Sequence, residues 1–166
     1  MLLTVGHGTS TADELGQRLL DAGVALLVDV RRFPGSRRHP HLSREAVQEW
    51  CPVPYRWEER LGGRRPLVPD SPDTALRNAS FRGYASWMRG PDFVTALRDV
   101  LDGPDRTAVM CSESVWWRCH RRMVADAAVL LHDAEVRHLM PDGRLTAHPP
   151  TDGVRVDGDV LVYDAT

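Results

Sequence analysis

The sequence predicts a single three-layer α/β domain over residues 1–166, with a mainly parallel central sheet flanked by helices and a C-terminal β-hairpin. Two observations carry this. The apolar runs Leu2–Gly6, Ala25–Val30 and Arg106–Cys111 are nearly uniform instead of alternating, the pattern of strands covered on both faces. Helical stretches separate them, as crossovers between parallel strands require. A chain of 166 residues, 42% hydrophobic and 27% charged, suits one globular domain with its own core.

Each element has a local reason. The first strand, Leu2 to Gly6, is followed by a helix from about Thr11 to Asp21 that Ser10 or Thr11 can cap. After the strand Ala25–Val30 comes a long Arg/Pro/Gly loop, then a short helix from Ser43 to Trp50 with Glu45 in its first turn, where the helix dipole favours an acid. Val53–Trp57 is expected as a short strand. Leu61–Asn78, rich in Gly, Pro and Arg, is expected as a lid or binding loop. Phe81–Met88 and Pro91–Leu101 read as helices, the second with proline in its first turn. Arg106–Cys111 is a third buried strand. Met123, Val124, Ala127, Ala128 and Leu131 share one helical face, predicting a single helix from Val115 to Leu131. Glu135–Leu139 reads as a fourth strand, and Val154–Tyr163 turns at Asp157-Gly158 as a hairpin.

Composition narrows the function classes. A net charge of -2 predicts no general affinity for nucleic acid, the apolar runs are too short to cross a bilayer, and Met1-Leu2-Leu3 lacks the basic start of an export signal. A cytoplasmic protein is expected, with Cys51, Cys111 and Cys119 as free thiols. All 21 Lys+Arg residues are arginine, a bias that genome composition explains as readily as function. Their distribution says more: Arg31–Arg65 holds nine arginines against Glu45, Glu49, Glu58 and Glu59. That stretch is a candidate anion surface, since arginine presents a rigid fork of donors.

Three predicted strands end in polar residues: His7 after the first, Asp29 and Arg31 after the second, Cys111 and Glu113 after the third. Open α/β sheets bind ligands at the carboxyl ends of their strands, where loops and helix N-termini converge. The segments TVGHGTS, LLVDVRRFPGSRRHPHLS, LGGRRP, FRGYASWM and VMCSESVWWRCHRRMVADA resemble, in order, the signatures of the domain of unknown function 488 family over roughly Leu2 to His138. The resemblance implies an α/β fold and a shared site drawing on His7, Asp29, Arg31, Ser36, Arg37, Gly62, Gly63, Tyr84, Cys111, Glu113, Cys119, His120 and Arg121. It carries no substrate with it.

Three chemistries suit these residues. Cys111 is a candidate nucleophile, with the following helix and Arg118 and Arg121 favouring its thiolate and with Cys119 and His120 nearby. The layout is similar to that of rhodaneses and cysteine phosphatases, but SESVWW has no glycine, carries Glu113 and places Arg118 one residue late. Alternatively Glu113 acts as acid or base with Asp29 as its partner. A metal site is disfavoured, because Cys119 and His120, adjacent on one helix, point about 100° apart. No cofactor is expected. Bland readings stand beside each: Cys111 as a small core filler, Asp29 as an ion-pair residue, Glu113 as a helix cap, His120 as an anchor to the sheet, and one of Trp116 and Trp117 as core with the other walling a pocket.

The expectation is an enzyme acting on a small anionic substrate, nucleotides included. Cys111, Glu113, His7, Asp29 and His120 are its catalytic candidates, and Arg31, Ser36, Arg37, Tyr55, Gly62, Gly63, Tyr84, Arg118, Cys119 and Arg121 its substrate-binding ones. The alternative is a ligand- or nucleic-acid-binding module that grips a single strand by the charge of Arg31–Arg65 and by stacking on Trp50, Tyr55 and Trp57.

Overall fold

Strands that are apolar on both faces need helices on both faces, and the chain supplies them. The computed structural model describes residues 1–166 and runs β1 (Leu2–Gly6), α1 (Ala12–Asp21), β2 (Leu26–Asp29), α2 (Arg44–Trp50), β3 (Tyr55–Trp57), α3 (Ala79–Met88), α4 (Pro91–Leu101), β4 (Thr107–Cys111), α5 (Arg121–His132), β5 (Val136–Leu139), β6 (Leu145–Ala147), β7 (Val154–Asp157) and β8 (Val160–Tyr163). Six strands form one sheet in the order β3-β2-β4-β1-β5-β6, parallel except for β6, and β7 and β8 pair as the expected hairpin.

Successive residues of each strand feed opposite cores, as the two-residue period of a strand dictates. Leu3, Val5, Leu27, Ala108 and Met110 pack with Leu15 and Leu19 of α1 and Val47 of α2. Leu2, Val28 and Val109 pack on the other side, with Ala85, Phe93, Leu97, Met123, Val124 and Ala127 from α3, α4 and α5. Helix starts are marked as the sequence suggests: Thr11 and Glu14 form a reciprocal capping box on α1, and the Ser43 hydroxyl accepts from Ala46 N at the start of α2.

The single helix expected over Val115–Leu131 is broken. Trp116–Arg118 make a 3-10 turn, Cys119 is extended (φ -131°, ψ 152°), and α5 begins only at Arg121. The cause is tertiary: the Trp116 ring stacks flat on His138, 4.2 Å between centroids and 3° between planes, which draws the chain off the helix axis. A short edge strand at Leu145–Ala147 was not expected. The Leu61–Asn78 stretch is fastened at several points. Arg65 donates to the Glu59 and Gly62 carbonyls and lies 3.9 Å over the Trp87 ring, buried Asp73 pairs with Arg89, and Leu76 enters the core.

Candidate active site

β1, β2 and β4 are neighbours, so their carboxyl ends open into one space. Crossing that edge, the β4–α5 loop passes so close to β1 that a Cβ on Gly6 would sit 1.6 Å from the Glu113 carbonyl oxygen. Glycine is required there. Arg121 holds the same loop from beneath, donating through Nη2 to the Glu113 and Ser114 carbonyls at 3.0 and 3.1 Å.

Beside this loop lies a cavity of about 440 Å³, within the range of small-molecule sites. Its wall includes His7, Arg31, Ser36, Gly63, Tyr84, Cys111, Glu113, Arg118, Cys119 and His120, which the sequence singled out, and also Arg32, Phe33, Gly35, Arg64, Ser80, Phe81 and Ser112, which it did not. Arg64 adjoins the paired glycines of LGGRRP and Phe81 opens FRGYASWM, so both stood beside recognised signals. Arg32, Phe33 and Gly35 lie in the RRFPG loop, where nothing local tells an inward residue from an outward one.

Five expected residues lie outside the wall, each for a visible reason. Asp29 is fully buried and clasped by Arg31, Nε to Oδ1 at 2.8 Å and Nη2 to Oδ2 at 2.6 Å, while Tyr55 donates its hydroxyl to Oδ2 at 2.5 Å. Asp29 and Tyr55 therefore position Arg31 and do not face a ligand. Gly62 packs on the Arg32 backbone, Arg37 is exposed away from the cavity, and Arg121 is buried under the loop. Trp116 is spent on His138, and Trp117 faces outward at 46% exposure. Neither tryptophan walls this cavity.

His7 is neutral at physiological pH. Burial, with adjacent Arg31 acting in the same direction and the Gly8 carbonyl and Asp29 against it, lowers its pKa to about 4. Its Nδ1–H donates to the Gly8 carbonyl at 2.9 Å, leaving Nε2 to accept from Arg31 Nη1 at 3.3 Å. Both nitrogens are occupied, so His7 orients Arg31.

His120 is arranged otherwise. Because Cys119 is extended and His120 sits at the N-cap of α5, the two side chains converge instead of diverging as they would on a helix. His120 Nε2 lies 3.1 Å from the Val30 carbonyl oxygen, which can only accept, so Nε2 carries the proton. Nδ1 keeps its lone pair and faces Cys119 Sγ at 3.5 Å. Gly63 makes room for this ring: a Cβ there would come 2.9 Å from Nδ1. Tyr84, whose hydroxyl donates to the Leu61 carbonyl, holds the ring from another side at 5.0 Å.

The sulfurs of Cys111 and Cys119 lie 2.7 Å apart in the cavity wall. Burial opposes ionisation of Cys119, but Cys111, His120 and Arg121 outweigh it and hold that thiol well below the ordinary range. Burial, and then the neighbouring sulfur, push Cys111 well above it. Arg121 supplies the physical need for an anion at this spot. It is 1% exposed, its Nε has no partner, and its only hydrogen bonds go to neutral carbonyls. A buried cation without a counter-charge is costly, and a Cys119 thiolate provides one once His120 has taken its proton.

No curated protein and no solved structure matches the chain. The family model described as "Domain of unknown function DUF488" matches residues 11–128, and the signature segments within that span supply the β4–α5 loop, both buried cysteines and His120. The chain therefore belongs to the DUF488 family.

Proposed function

We propose that this protein is a thiol-dependent hydrolase or transferase acting on a small anionic substrate, with Cys119 as nucleophile and His120 as its base. One observation carries the reading: the Cys119 Sγ, His120 Nδ1 and Val30 carbonyl series, in which a fixed acceptor sets the tautomer of the base that faces the thiol. In the reaction His120 Nδ1 takes the thiol proton, and Cys119 Sγ bonds to the electrophilic atom of the substrate. The leaving group then departs with that proton, and water or an acceptor nucleophile releases the adduct from sulfur. Cys111 Sγ lies 2.7 Å from the Cys119 sulfur, and Glu113 stands in the cavity wall. Arg64, Arg118 and the Ser36 hydroxyl supply the anion-binding character, and nucleotides are the first class to test.

A paired-carboxylate mechanism is less well supported, because Asp29 is occupied by Arg31 and Tyr55. A nucleic-acid-binding role is weakened as well. Arg31, Arg32, Arg56, Arg60 and Arg65 are each paired with a carboxylate, and Arg44 stacks over Trp57.

The test is alkylation of the three cysteines across pH, mapped by mass spectrometry, with and without phosphate and nucleoside phosphates. Cys119 is expected to label fastest at pH 7, with labelling slowed by at least one of the anions. His120→Gln should cut the Cys119 rate roughly 100-fold, the scale of losing a positioned base. A Cys119 that labels only on unfolding, or at a rate none of the anions changes, refutes the reading.

A further inference from the structure

We infer that Cys119 and Cys111 are also an attacking and resolving pair for low-molecular-weight disulfides, so that the site closes reversibly into a Cys111–Cys119 disulfide. The inference stands on the two sulfurs and not on the identity of the substrate. Both belong to free cysteines, both line the same cavity, and their sulfurs are 2.7 Å apart, so a small movement of the Ser112–Arg118 loop joins them. Cys51, by contrast, packs at the edge of the other core, on the α1–α2 side of the sheet.

The two cysteines are not equivalent, and the asymmetry gives the order of events. His120 Nδ1 faces Cys119 at 3.5 Å, whereas Cys111 Sγ is directed to the Glu113 carbonyl at 3.7 Å, which cannot take a proton. Cys119 therefore attacks first. Its sulfur bonds to one sulfur of the external disulfide, whose S–S bond breaks, and the departing thiolate takes the proton that His120 had accepted. Cys111 then attacks the Cys119 sulfur of this mixed disulfide. The second external thiolate leaves with the Cys111 proton, and the Cys111–Cys119 bond is complete. Two protein thiols are oxidised, one external disulfide is reduced to two thiols, and no metal or further oxidant enters the balance.

The cavity also selects the co-reactant. Arg64 and Arg118 line the same cavity as the sulfurs and outnumber Glu113 there, so an anionic disulfide such as glutathione disulfide is attracted where a cationic one is not. Oxidation consumes the Cys119 nucleophile, and any thiol chemistry at the site then stops until a thiol reopens the bond.

The experiment incubates the full chain with glutathione disulfide, quenches with acid, alkylates and maps the peptides. The wild type should lose two alkylatable thiols, gain a Cys111–Cys119 cross-link that dithiothreitol removes, and keep Cys51 alkylatable. Cys111→Ser should stop at a single glutathione adduct on Cys119. Cys119→Ser should form an adduct on Cys111 at least tenfold more slowly. Cystamine, a cationic disulfide, should react more slowly than glutathione disulfide at low salt, with the difference shrinking as salt rises. A wild type that stays fully reduced, an adduct on Cys51 instead, or equal rates for the two serine variants overturns the inference. Cross-linking without anion protection of Cys119 would uphold it while refuting the proposed substrate class.

Discussion

Two buried polar networks flank β1, and they differ in what they leave free. At the carboxyl end of the strand, Cys119, His120 and Cys111 meet a cavity with a lone pair and two thiols, and beneath them lies Arg121, a guanidinium lacking a carboxylate partner. On its other flank, Thr4, His138, His148, Asp126 and Tyr163 form a closed relay. His138 bridges the Thr4 hydroxyl and His148, and His148 Nε2 meets Asp126 Oδ1 at 2.7 Å. Asp126 accepts in addition from Thr151 N at 3.0 Å and the Tyr163 hydroxyl at 2.8 Å. All of its members are buried, and Trp116 covers it by stacking on His138. A histidine–carboxylate pair is often read as catalytic, yet here it ties β1, β5, α5 and β8 together with no valence to spare. Histidine chemistry in this fold is to be sought where hydrogen bonds are missing.

The contrast is testable, and its strongest test is Asp126→Ala. Removing this acceptor strands His148, Thr151 N and Tyr163 at once, and should cost about 3–5 kcal/mol, the usual loss when one partner of a buried pair is deleted. Denaturant unfolding reads it. The Cys119 alkylation rate of the folded fraction should stay within about twofold, since no member of the relay touches either sulfur. A fall in that rate comparable to the fall expected for His120→Gln would mean that the two networks are one.

Acid should act on both flanks, through His7 in the cavity wall and His138 in the relay. Burial lowers His7 to about 4 and His138 to about 3, from 6.5, so each binds its proton less readily folded than unfolded. The sign follows: their contribution to stability is intact above pH 6.5 and is lost as pH falls toward 4 and 3, because only the unfolded chain gains protons in that window. By pH 5 each costs about 2 kcal/mol. Urea midpoints at pH 7.5 and pH 5 measure the sum, and His138→Gln should remove about half of the difference. A midpoint unchanged between the two pH values would contradict the neutral state of both rings.

Much of this was legible in the sequence, and the failures share a cause. The uniform runs at Leu2–Gly6, Ala25–Val30 and Arg106–Cys111 announced a parallel sheet, and several of the polar residues that follow them line the cavity at its carboxyl edge. Helical periodicity after Val115 could not reveal the break at Trp116–Arg118, because the partner that bends the chain, His138, lies far along the sequence on β5. That break decides the geometry of the pair. On a continuous helix Cys119 and His120 diverge, whereas across an extended Cys119 they converge. Arg121 was misjudged for a related reason: nothing local distinguishes an arginine that reaches for a ligand from one buried beneath a loop whose carbonyls it holds.

The smallest expected effect is the most discriminating for the open network. Gly63 and Gly35 both line the cavity, but a Cβ on Gly63 would come 2.9 Å from His120 Nδ1, while one on Gly35 would meet nothing within 4 Å. Gly63→Ala should therefore push the imidazole away from Cys119 and lower its alkylation rate at pH 7 about tenfold, or about 1.4 kcal/mol in barrier. Gly35→Ala should leave that rate unchanged. If His120 only anchors α5 to the sheet through the Val30 carbonyl, the Gly63 variant should lose thermal stability without slowing Cys119. If His120 is the base for Cys119, the rate should fall more than the stability does, because a displacement of a few tenths of an ångström matters more to a proton transfer than to a packed ring.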